Sequence, residues 1–232
     1  MAGTTDVRIG RRSVYLPDAD ALVLADLHIG RDAASNVELP LGERADLRDR
    51  LQELLDRFAP GTVVFAGDVL HAFDSVPTGV DRTLTALVDL VEAADGKPVV
   101  VAGNHDGMLD AVWDGEPVEE YRLADDRTVV VHGHERPTTD ADRYVIGHEH
   151  PTIEIEGDRR PCHLYGKDVY GGSDVLVVPA FSRLAPGILL NRTRQLGSPL
   201  VDDPDEFRPI VRDANAGETY RFPPLGEFRA LL

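Results

Sequence analysis

The sequence predicts an α/β fold in which buried strands alternate with helices, followed by a second half made mostly of strands. Short apolar runs rich in valine recur along the chain, and each one ends in glycine or a polar cluster. Such runs are typical of strands buried on both faces. Two segments between the early runs place leucine at helical spacing. With 232 residues and 42% hydrophobic content, the chain can form one large domain with a full core or two small ones.

Each element follows from a local pattern. The apolar runs predicted as strands are ALVLAD (21–26), TVVFAG (62–67), PVVVAG (98–103), TVVVHG (128–133), RYVIGH (143–148) and DVLVVPAF (174–181). The alternating segment TIEIEG (152–157) is predicted as a half-exposed strand. Residues 43–58 and 80–94 are predicted as amphipathic helices. We expect an α/β core up to about residue 100 and a more antiparallel arrangement after it.

No repeat, low-complexity tract or long linker divides the chain, so residues 1–232 are predicted to form a single domain. The segment 197–232 is rich in Pro, Asp and Glu, with weak strand signals at FRPIV and YRF, and is predicted to wrap the surface. No apolar run approaches the roughly 18 residues of a membrane span, and no secretory signal is recognisable. Because Cys162 is the single cysteine, no internal disulfide can form. We expect a cytoplasmic protein without membrane contact.

The charge balance is strongly acidic. There are 41 Asp and Glu against 24 Lys and Arg, a net charge of −17, and Lys97 and Lys167 are the only lysines. This composition resembles that of proteins adapted to molar salt, especially those of halophilic archaea. Near 1 M ionic strength the Debye length falls to about 3 Å, which screens the self-repulsion. An acidic mesophilic protein is the alternative. The charge argues against a broad nucleic-acid surface but leaves room for a local basic groove.

Polar side chains that packing does not explain follow the predicted strands. In open α/β sheets, ligands bind outside the carboxyl ends of the strands, so these side chains can converge. They are Asp26, His28, Asp68, Asn104, His105, Asp106, His132, His148 and His150. Carboxylates, imidazoles and an amide oxygen together suit divalent Mn, Fe, Zn, Co or Ni. The alternative role of each residue is to cap a strand end or to hydrogen-bond a loop.

The spacing and number of these residues predict two metal ions. Asp26 with His28, and His148 with His150, are two residues apart and point to one side in an extended chain. The donors exceed the three or four protein ligands of one open metal site, so two ions sharing a ligand are expected. Two ions about 3.5–4 Å apart clamp the attacking and leaving oxygens of a phosphoryl displacement. They also lower the pKa of bound water towards about 7, which makes hydroxide available for attack.

Five motifs in order carry a family resemblance. ADLHIG, AGDVLH, AGNHDG, VHGHE and IGHEHP, within residues 24–151, resemble the D-x-H, G-D, G-N-H-D, H-G and G-H-x-H signature of calcineurin-like metallophosphoesterases. The resemblance implies an α/β/β/α sandwich of two mixed sheets flanked by helices. It also implies a phosphoesterase with two divalent transition-metal ions, Mn²⁺ first, with Fe, Zn, Co or Ni as alternatives.

The family roles carry over onto the matching residues. Those expected to hold the first metal are Asp26, His28 and His150. Those expected to hold the second metal are Asn104, His132 and His148. Asp68 is expected to bridge both ions. His105 is similar to the family histidine that meets the substrate phosphate and protonates or stabilises the leaving group, and Asp106 is expected to orient it.

Four residues beside the motifs remain open on sequence grounds. His134 competes with His132 as a ligand, and His132 is preferred because it ends the apolar run. His71 is either a site residue or a helix-start residue. Arg31 and Arg183 are candidate contacts to substrate phosphate among many arginines.

Further details resemble the small SbcD-related phosphoesterases: His71 in GDVLH, the GHEHP ending and the segment VPAFSRLAPG. SbcD nucleases add a DNA-capping domain, for which few residues remain after the core strands. We therefore predict hydrolysis of phosphodiesters, in a nucleotide or single-stranded nucleic acid, with nuclease or DNA-repair roles among the candidates. A phosphomonoesterase on small metabolites is the alternative. A non-catalytic scaffold of the same fold is disfavoured because all the ligand positions and His105 are present.

Overall fold

A computed structural model describes residues 7–34, 42–71 and 77–229. Its strands are β1 (Arg8–Gly10), β2 (Ser13–Leu16), β3 (Ala21–Leu24), β4 (Thr62–Ala66), β5 (Lys97–Val101), β6 (Glu120–Arg122), β7 (Thr128–Val131), β8 (Arg143–Ile146), β9 (Pro151–Ile155), β10 (Asp158–Pro161), β11 (His163–Tyr170), β12 (Ser173–Val177), β13 (Ile188–Leu189), β14 (Arg208–Asp213) and β15 (Glu218–Arg221). Its α-helices are α1 (Arg31–Ala34), α2 (Glu43–Phe58), α3 (Val80–Ala93) and α4 (Leu225–Phe228). Short 3-10 turns lie at Pro17–Ala19, Leu109–Ala111 and Pro204–Glu206.

The described strands form three mixed sheets. The first has the order β1-β2-β3-β4-β5, and β3, β4 and β5 run parallel. The second has the order β15-β14-β11-β12-β8-β7-β6, and β12, β8 and β7 run parallel. The third is small, with the order β10-β9-β13. Each large sheet therefore contains a run of three parallel strands whose carboxyl ends lie at one edge.

Alternate residues of the parallel strands face different cores. Leu22 and Leu24 of β3 pack with the leucines of α2 and α3, whereas Val23 packs towards Val130 and Val145 of the second sheet. A third core on the far side of the second sheet is closed by β9 and the C-terminal segment. The layers are helices, sheet, sheet and an outer layer of short strands, loops and α4. The predicted mixed α/β class is confirmed, although its second outer layer holds only one short helix among the described residues.

The predicted helices and strands are found. Helix 43–58 has the bounds expected, and the helix predicted over 80–94 ends one residue earlier. As expected, the second half is the more antiparallel one, with the antiparallel pairs β6–β7, β9–β10, β11–β12, β11–β14 and β14–β15. It also contains the parallel run β7, β8 and β12, which was not predicted. The connection 132–142 is long enough to carry the chain back to the start of the sheet, which a parallel neighbour requires.

The C-terminal segment is part of the second sheet. Strand β14 pairs with β11 through His163 and Ile210, and β15 extends the sheet beyond it. Phe207 is buried in the third core, so the segment contributes to packing as well as covering the surface. These contacts favour the prediction of one domain, although residues 1–6, 35–41, 72–76 and 230–232 lie outside the described residues. Among the described helices, none has the length and apolarity that a bilayer crossing requires.

Candidate metal centre

The predicted site residues lie at the edge where the two large sheets meet. They follow the carboxyl ends of β3, β4 and β5 in the first sheet and of β7 and β8 in the second. Hydrogen bonds, ion pairs and ring contacts join them into one cluster. The expected convergence is therefore observed, whereas their roles as ligands stay a prediction.

The first group of donors is compact and largely buried. Asp26, His28, Asp68 and His150 each offer one ligand atom, and these atoms lie within 4.8 Å of one another. His150 Nε2 is 3.1 Å from Asp26 Oδ1 and 3.2 Å from His28 Nε2. Donors bound to one ion at about 2.0–2.2 Å are at most about 4.4 Å apart. Shifts of a few tenths of an ångström would therefore complete a ligand shell.

The second group surrounds His132. Its Nε2 lies 3.2 Å from Asn104 Oδ1 and 3.3 Å from Asp68 Oδ1. The ring of His148 packs against that of His132, with centroids 5.1 Å apart. Asp68 also reaches the first group, because its Oδ2 is 3.9 Å from His28 Nε2. Asp68 thus lies between the two groups, as a bridging ligand must.

The orientation of His132 suits a cation site. Its Nδ1 donates to the carbonyl oxygen of Ala66 at 3.0 Å, which turns Nε2 towards the oxygens of Asn104 and Asp68. That nitrogen lies 3.2 and 3.3 Å from these two oxygens. An imidazole nitrogen, an amide oxygen and a carboxylate oxygen are together a donor set that a divalent transition-metal ion accepts.

The backbone at five of the predicted ligands is left-handed. Asp26, His28, Asp68, His148 and His150 have φ between 45° and 66°. Residues with a Cβ rarely adopt this conformation, which costs on the order of 1–3 kcal/mol each and clusters at functional sites. The paired ligands were expected in extended chain, and that expectation is wrong. Turned backbone, rather than strand alternation, presents them to one volume.

Hydrogen bonds between neighbouring loops hold this strained backbone. The amides of Asp26 and His28 donate to the carbonyls of Gly67 and Asp68 at 3.0 and 2.9 Å. The amide of His148 donates to both carboxylate oxygens of Asp26, at 3.1 and 3.2 Å. One buried carboxylate thus ties the loop after β8 to the loop after β3.

Two glycines of the motifs are required because residues of neighbouring loops approach them too closely for a Cβ atom. A Cβ on Gly67, which has φ +80°, would lie 2.3–2.6 Å from ring and Cβ atoms of His132. A Cβ on Gly103 would lie 2.2 Å from the backbone nitrogen of Asp68. The glycine before the motif aspartate and the one before the motif asparagine therefore allow the ligand loops to pack directly on one another.

Burial sets the charges of the cluster. It lowers the pKa of His28 to about 3 and that of His148 to about 4. Both rings are therefore neutral, and each has a nitrogen lone pair that can bind a metal ion. Burial opposes ionisation of Asp26, but the hydrogen bond from His150 and the nearby imidazoles bring its pKa below the usual value. Burial raises the pKa of Asp68, and the charge of Asp26 adds to this effect. Buried carboxylates and neutral imidazoles are the groups that a divalent cation would stabilise.

His105 stands beside the donors with its ring partly exposed. Its Nδ1 donates to the carbonyl oxygen of His71 at 3.0 Å, and its Nε2 is 3.7 Å from Asp68 Oδ2. The side chain is 22% exposed, against 4% for Asp68, so it can reach a bound substrate. The contact with His71 orients the ring.

Asp106 binds the backbone of two loops. Its carboxylate accepts backbone hydrogen bonds from Leu70 and Gly103 at 2.8 Å and from Val69 at 3.3 Å. These bonds join the loop after β4 to the loop after β5. Asp106 therefore positions the loops that carry Asp68 and the GNHD motif, and its orienting role towards the His105 ring stays a prediction.

Three further residues belong to the cluster. The ring of His71 stacks on that of His105 at 6.3 Å, and the ring of His134 lies 5.3 Å from that of His132, so two of the four residues left open by the sequence are near the site. Glu149, not anticipated, is 1% exposed and accepts a hydrogen bond from the amide of Ser198 at 2.5 Å. The position of this carboxylate between two predicted ligands, His148 and His150, was the available signal for Glu149.

An α/β sandwich with such a centre belongs to the metal-dependent hydrolases. The comparison with protein families narrows the class. The family model for calcineurin-like phosphoesterase matches residues 20–176, and the chain belongs to this family. It is therefore a metal-dependent phosphoesterase.

Solved structures agree on the fold. The crystal structure of Pseudomonas putida nuclease MPE matches with a TM-score of 0.60, over 91% of this chain and 92% of that chain. The two sequences are 23% identical, so the likeness shows a shared fold. No curated protein matches the sequence.

Proposed function

We propose that the chain is a phosphodiesterase that works with two divalent transition-metal ions, with Mn²⁺ as the first candidate. The observation that carries this proposal is the position of Asp68, whose Oδ2 lies 3.9 Å from His28 Nε2 and whose Oδ1 lies 3.3 Å from His132 Nε2. The residues that would hold the first ion are Asp26, His28, Asp68 and His150. Those that would hold the second are Asp68, Asn104, His132 and His148. When bound, such ions polarise the phosphoryl group and lower the pKa of the attacking water.

His105 is the proposed acid for the leaving group. Its Nδ1 donates to the carbonyl of His71, so the protonated ring carries its second proton on Nε2. Nε2 hands this proton to the leaving oxygen, and the ring becomes neutral. A diester releases an alkoxide that needs this proton, and the partly exposed ring can approach it. His71 is the positioning residue for this step through its backbone carbonyl.

Two considerations support a diester over a monoester. The GDVLH, GHEHP and VPAFSRLAPG segments resemble the SbcD-related phosphoesterases. The Pseudomonas putida protein with the shared fold is a nuclease. The form of the diester follows from charge: the net charge of −17 opposes a long duplex, because counterion release would be available only where local positive charge exists. A nucleotide or a single strand is therefore the proposed substrate.

The composition supports two further proposals about the setting of the protein. The acidic surface with only two lysines, Lys97 and Lys167, supports adaptation to molar salt. The single cysteine, Cys162, is fully buried, which is consistent with a cytoplasmic chain that makes no disulfide.

The test is a side-by-side comparison of rates with Mn²⁺ at high salt. Bis-p-nitrophenyl phosphate, its monoester counterpart and an end-labelled duplex are compared at equal metal concentration. We expect the diester to be cleaved fastest and the duplex slowly. A clear preference for the monoester would instead establish a phosphatase, and rapid degradation of the duplex would establish a nuclease of double-stranded DNA.

A further inference from the structure

Two adjoining cavities beside the metal centre are lined by arginine. The first, about 230 Å³, is bounded by His150 and by Arg12, Arg159 and Arg183. The second, about 210 Å³, shares Arg12 and Arg183 with the first and adds Arg11 and Arg212. Arg12 and Arg183 stand between the two cavities, and we call the two together the arginine groove. One end of the groove is lined by His150, a predicted metal ligand.

The groove differs in charge from the rest of the surface. None of the described residues that line it is Asp or Glu. By contrast, the cavity beside Arg122 is lined by Asp126, Asp140 and Asp142. On a chain with a net charge of −17, this groove is a place where a polyanion meets positive charge without acidic neighbours in the wall.

The side chain of Arg12 is fixed in the groove by hydrogen bonds to the backbone. It stands in the turn between β1 and β2 with φ +55°, an uncommon conformation for a residue with a Cβ. Its Nη1 donates to the carbonyls of Ala180 and Ser182 at 2.7 and 3.0 Å. The amide of Ser182 in turn donates to the carbonyl of Asp26 at 3.1 Å. The guanidinium is thereby held at a fixed place relative to the metal centre.

The positive charges there exceed their local counter-charges. Arg50 and Arg183 both pair with Asp46, at 2.5 and 3.0 Å, so one carboxylate serves two guanidinium groups. Burial, together with the charges of Arg50 and Arg183, lowers the pKa of Arg12 to about 10. Arg12 remains charged at neutral pH, and the crowding of like charges would be relieved by an anion. Both of its carbonyl bonds use Nη1, and a guanidinium carries five N–H donors.

We propose that the arginine groove binds the phosphates of a single-stranded nucleic acid on one side of the bond to be cleaved. This rests on the proposed phosphodiesterase function and assigns it a substrate class, a strand with several phosphates. Arg12 and Arg183, which line both cavities, contact the flanking phosphates, and His150 marks the end of the groove at the metal centre. Arginine suits this task because its planar fork binds phosphate through two donors.

A single strand fits better than a duplex. The two cavities have volumes of about 230 and 210 Å³, which suits a single chain of phosphates rather than two. A duplex would bring a second strand of phosphates against the acidic surface outside the groove, which counterion release could not offset.

The first experiment measures binding without turnover. Fluorescence anisotropy follows a labelled single strand of about 12 nucleotides, a length within the range of single-strand sites. The chain carries His105→Ala so that the strand is not cut. Adding Arg183→Gln or Arg12→Gln should weaken binding roughly tenfold. Each should also reduce the slope of log affinity against log salt by about 0.7.

Matched variants separate charge from structure. Arg183→Lys keeps the charge and should restore most of the affinity and the full salt slope. Arg122→Gln removes an arginine that, like Arg12, donates to two backbone carbonyls but stands among aspartates. It should leave strand affinity unchanged. If Arg12→Gln unfolds the chain, Arg183→Gln alone decides the result.

The second experiment compares two substrates. For the groove variants in the otherwise native chain, the ratio of kcat/KM on the strand to kcat/KM on bis-p-nitrophenyl phosphate should fall roughly tenfold, since the small diester has no flanking phosphates. Strand binding that Arg183→Gln does not weaken, or a duplex bound as tightly as the single strand, would overturn the groove proposal. Failure of the native chain to cleave bis-p-nitrophenyl phosphate would count against the phosphodiesterase proposal, while the anisotropy result stands separately.

Discussion

The Nδ1 of His132 lies 3.0 Å from the carbonyl oxygen of Ala66, and this contact fixes the orientation of the imidazole ring. Ala66 is the last residue of β4, and His132 follows β7 in the other large sheet. A hydrogen bond between the two sheets therefore orients a predicted metal ligand and turns its Nε2 towards Asn104 and Asp68. The packing of the sandwich and the chemistry of its edge depend on the same contact.

Replacing Gly67 by alanine should disturb this contact. The new Cβ would overlap the His132 side chain, in addition to the strain of φ +80°. Gly157→Ala is the matched control, because Gly157 has φ +85° and a Cβ there would point into open space. We expect Gly67→Ala to lose about 1–3 kcal/mol more unfolding free energy than the control, together with bound Mn²⁺. Equal losses in both variants, with full metal content, would contradict the packing argument.

His105→Ala and Asp68→Ala should separate catalysis from metal binding. His105 is not a proposed ligand, so its removal should reduce kcat roughly 10²–10⁴-fold while metal content stays near that of the native chain. Asp68 lies between both donor groups, so Asp68→Ala should reduce the occupancy of both ions. Elemental analysis and rates on bis-p-nitrophenyl phosphate measure the two effects. An active His105→Ala variant, or one that has lost its metals, would show that the assigned role is wrong.

The stability of the fold should depend on His163 in mildly acid solution. Burial lowers the pKa of His163 to about 4, and its Nε2 donates to the carbonyl of Ser13 at 2.9 Å. Its folded-state pKa is below the unfolded value near 6.5, so its contribution is full above about pH 6.5 and is lost as the pH falls towards 4. Relative to His163→Gln, the native chain should lose on the order of 3 kcal/mol of unfolding free energy over this range. Urea unfolding of both chains at each pH measures the difference, and parallel curves would contradict the expectation.

Salt should stabilise the chain. Between about 0.1 M and 2 M KCl the Debye length shrinks from about 10 Å to below 3 Å, which screens the repulsion from the net charge of −17. The Tm should therefore rise over this range. A Tm that stays flat or falls would remove the argument for adaptation to high salt and would leave the metal centre unaffected.

Much of the fold follows from local patterns. The leucine stripe of 43–58 predicted α2 with its observed bounds, because its apolar face packs on the first sheet. The runs ended by glycine predicted the parallel strands. The antiparallel pairs of the second half agree with the expectation, but the parallel run of β7, β8 and β12 could not be predicted, since these strands have the same periodicity whichever way they run. The β1–β2 hairpin was missed because its turn, Arg11 and Arg12, lacks the usual Asn or Gly.

The sequence predicted which residues form the site, but it did not predict the backbone conformation and contacts that bring them together. The motifs identified the residues that converge, since each follows a strand at the same edge. The left-handed backbone at Asp26 and His148 depends on hydrogen bonds between loops distant in sequence, which local patterns do not encode. The partners of Asp106 are backbone amides of two loops, and they become visible only once those loops are packed together. The arginine groove likewise joins residues from separate parts of the chain.

Anomalous X-ray scattering from crystals grown with excess Mn²⁺ tests the central claim most directly. We expect two peaks per chain, one among Asp26, His28 and His150 and one among Asn104, His132 and His148, with Asp68 between them. Their separation should be about 3.5–4 Å. No peak at the centre at saturating Mn²⁺, with these side chains ordered, would contradict the account.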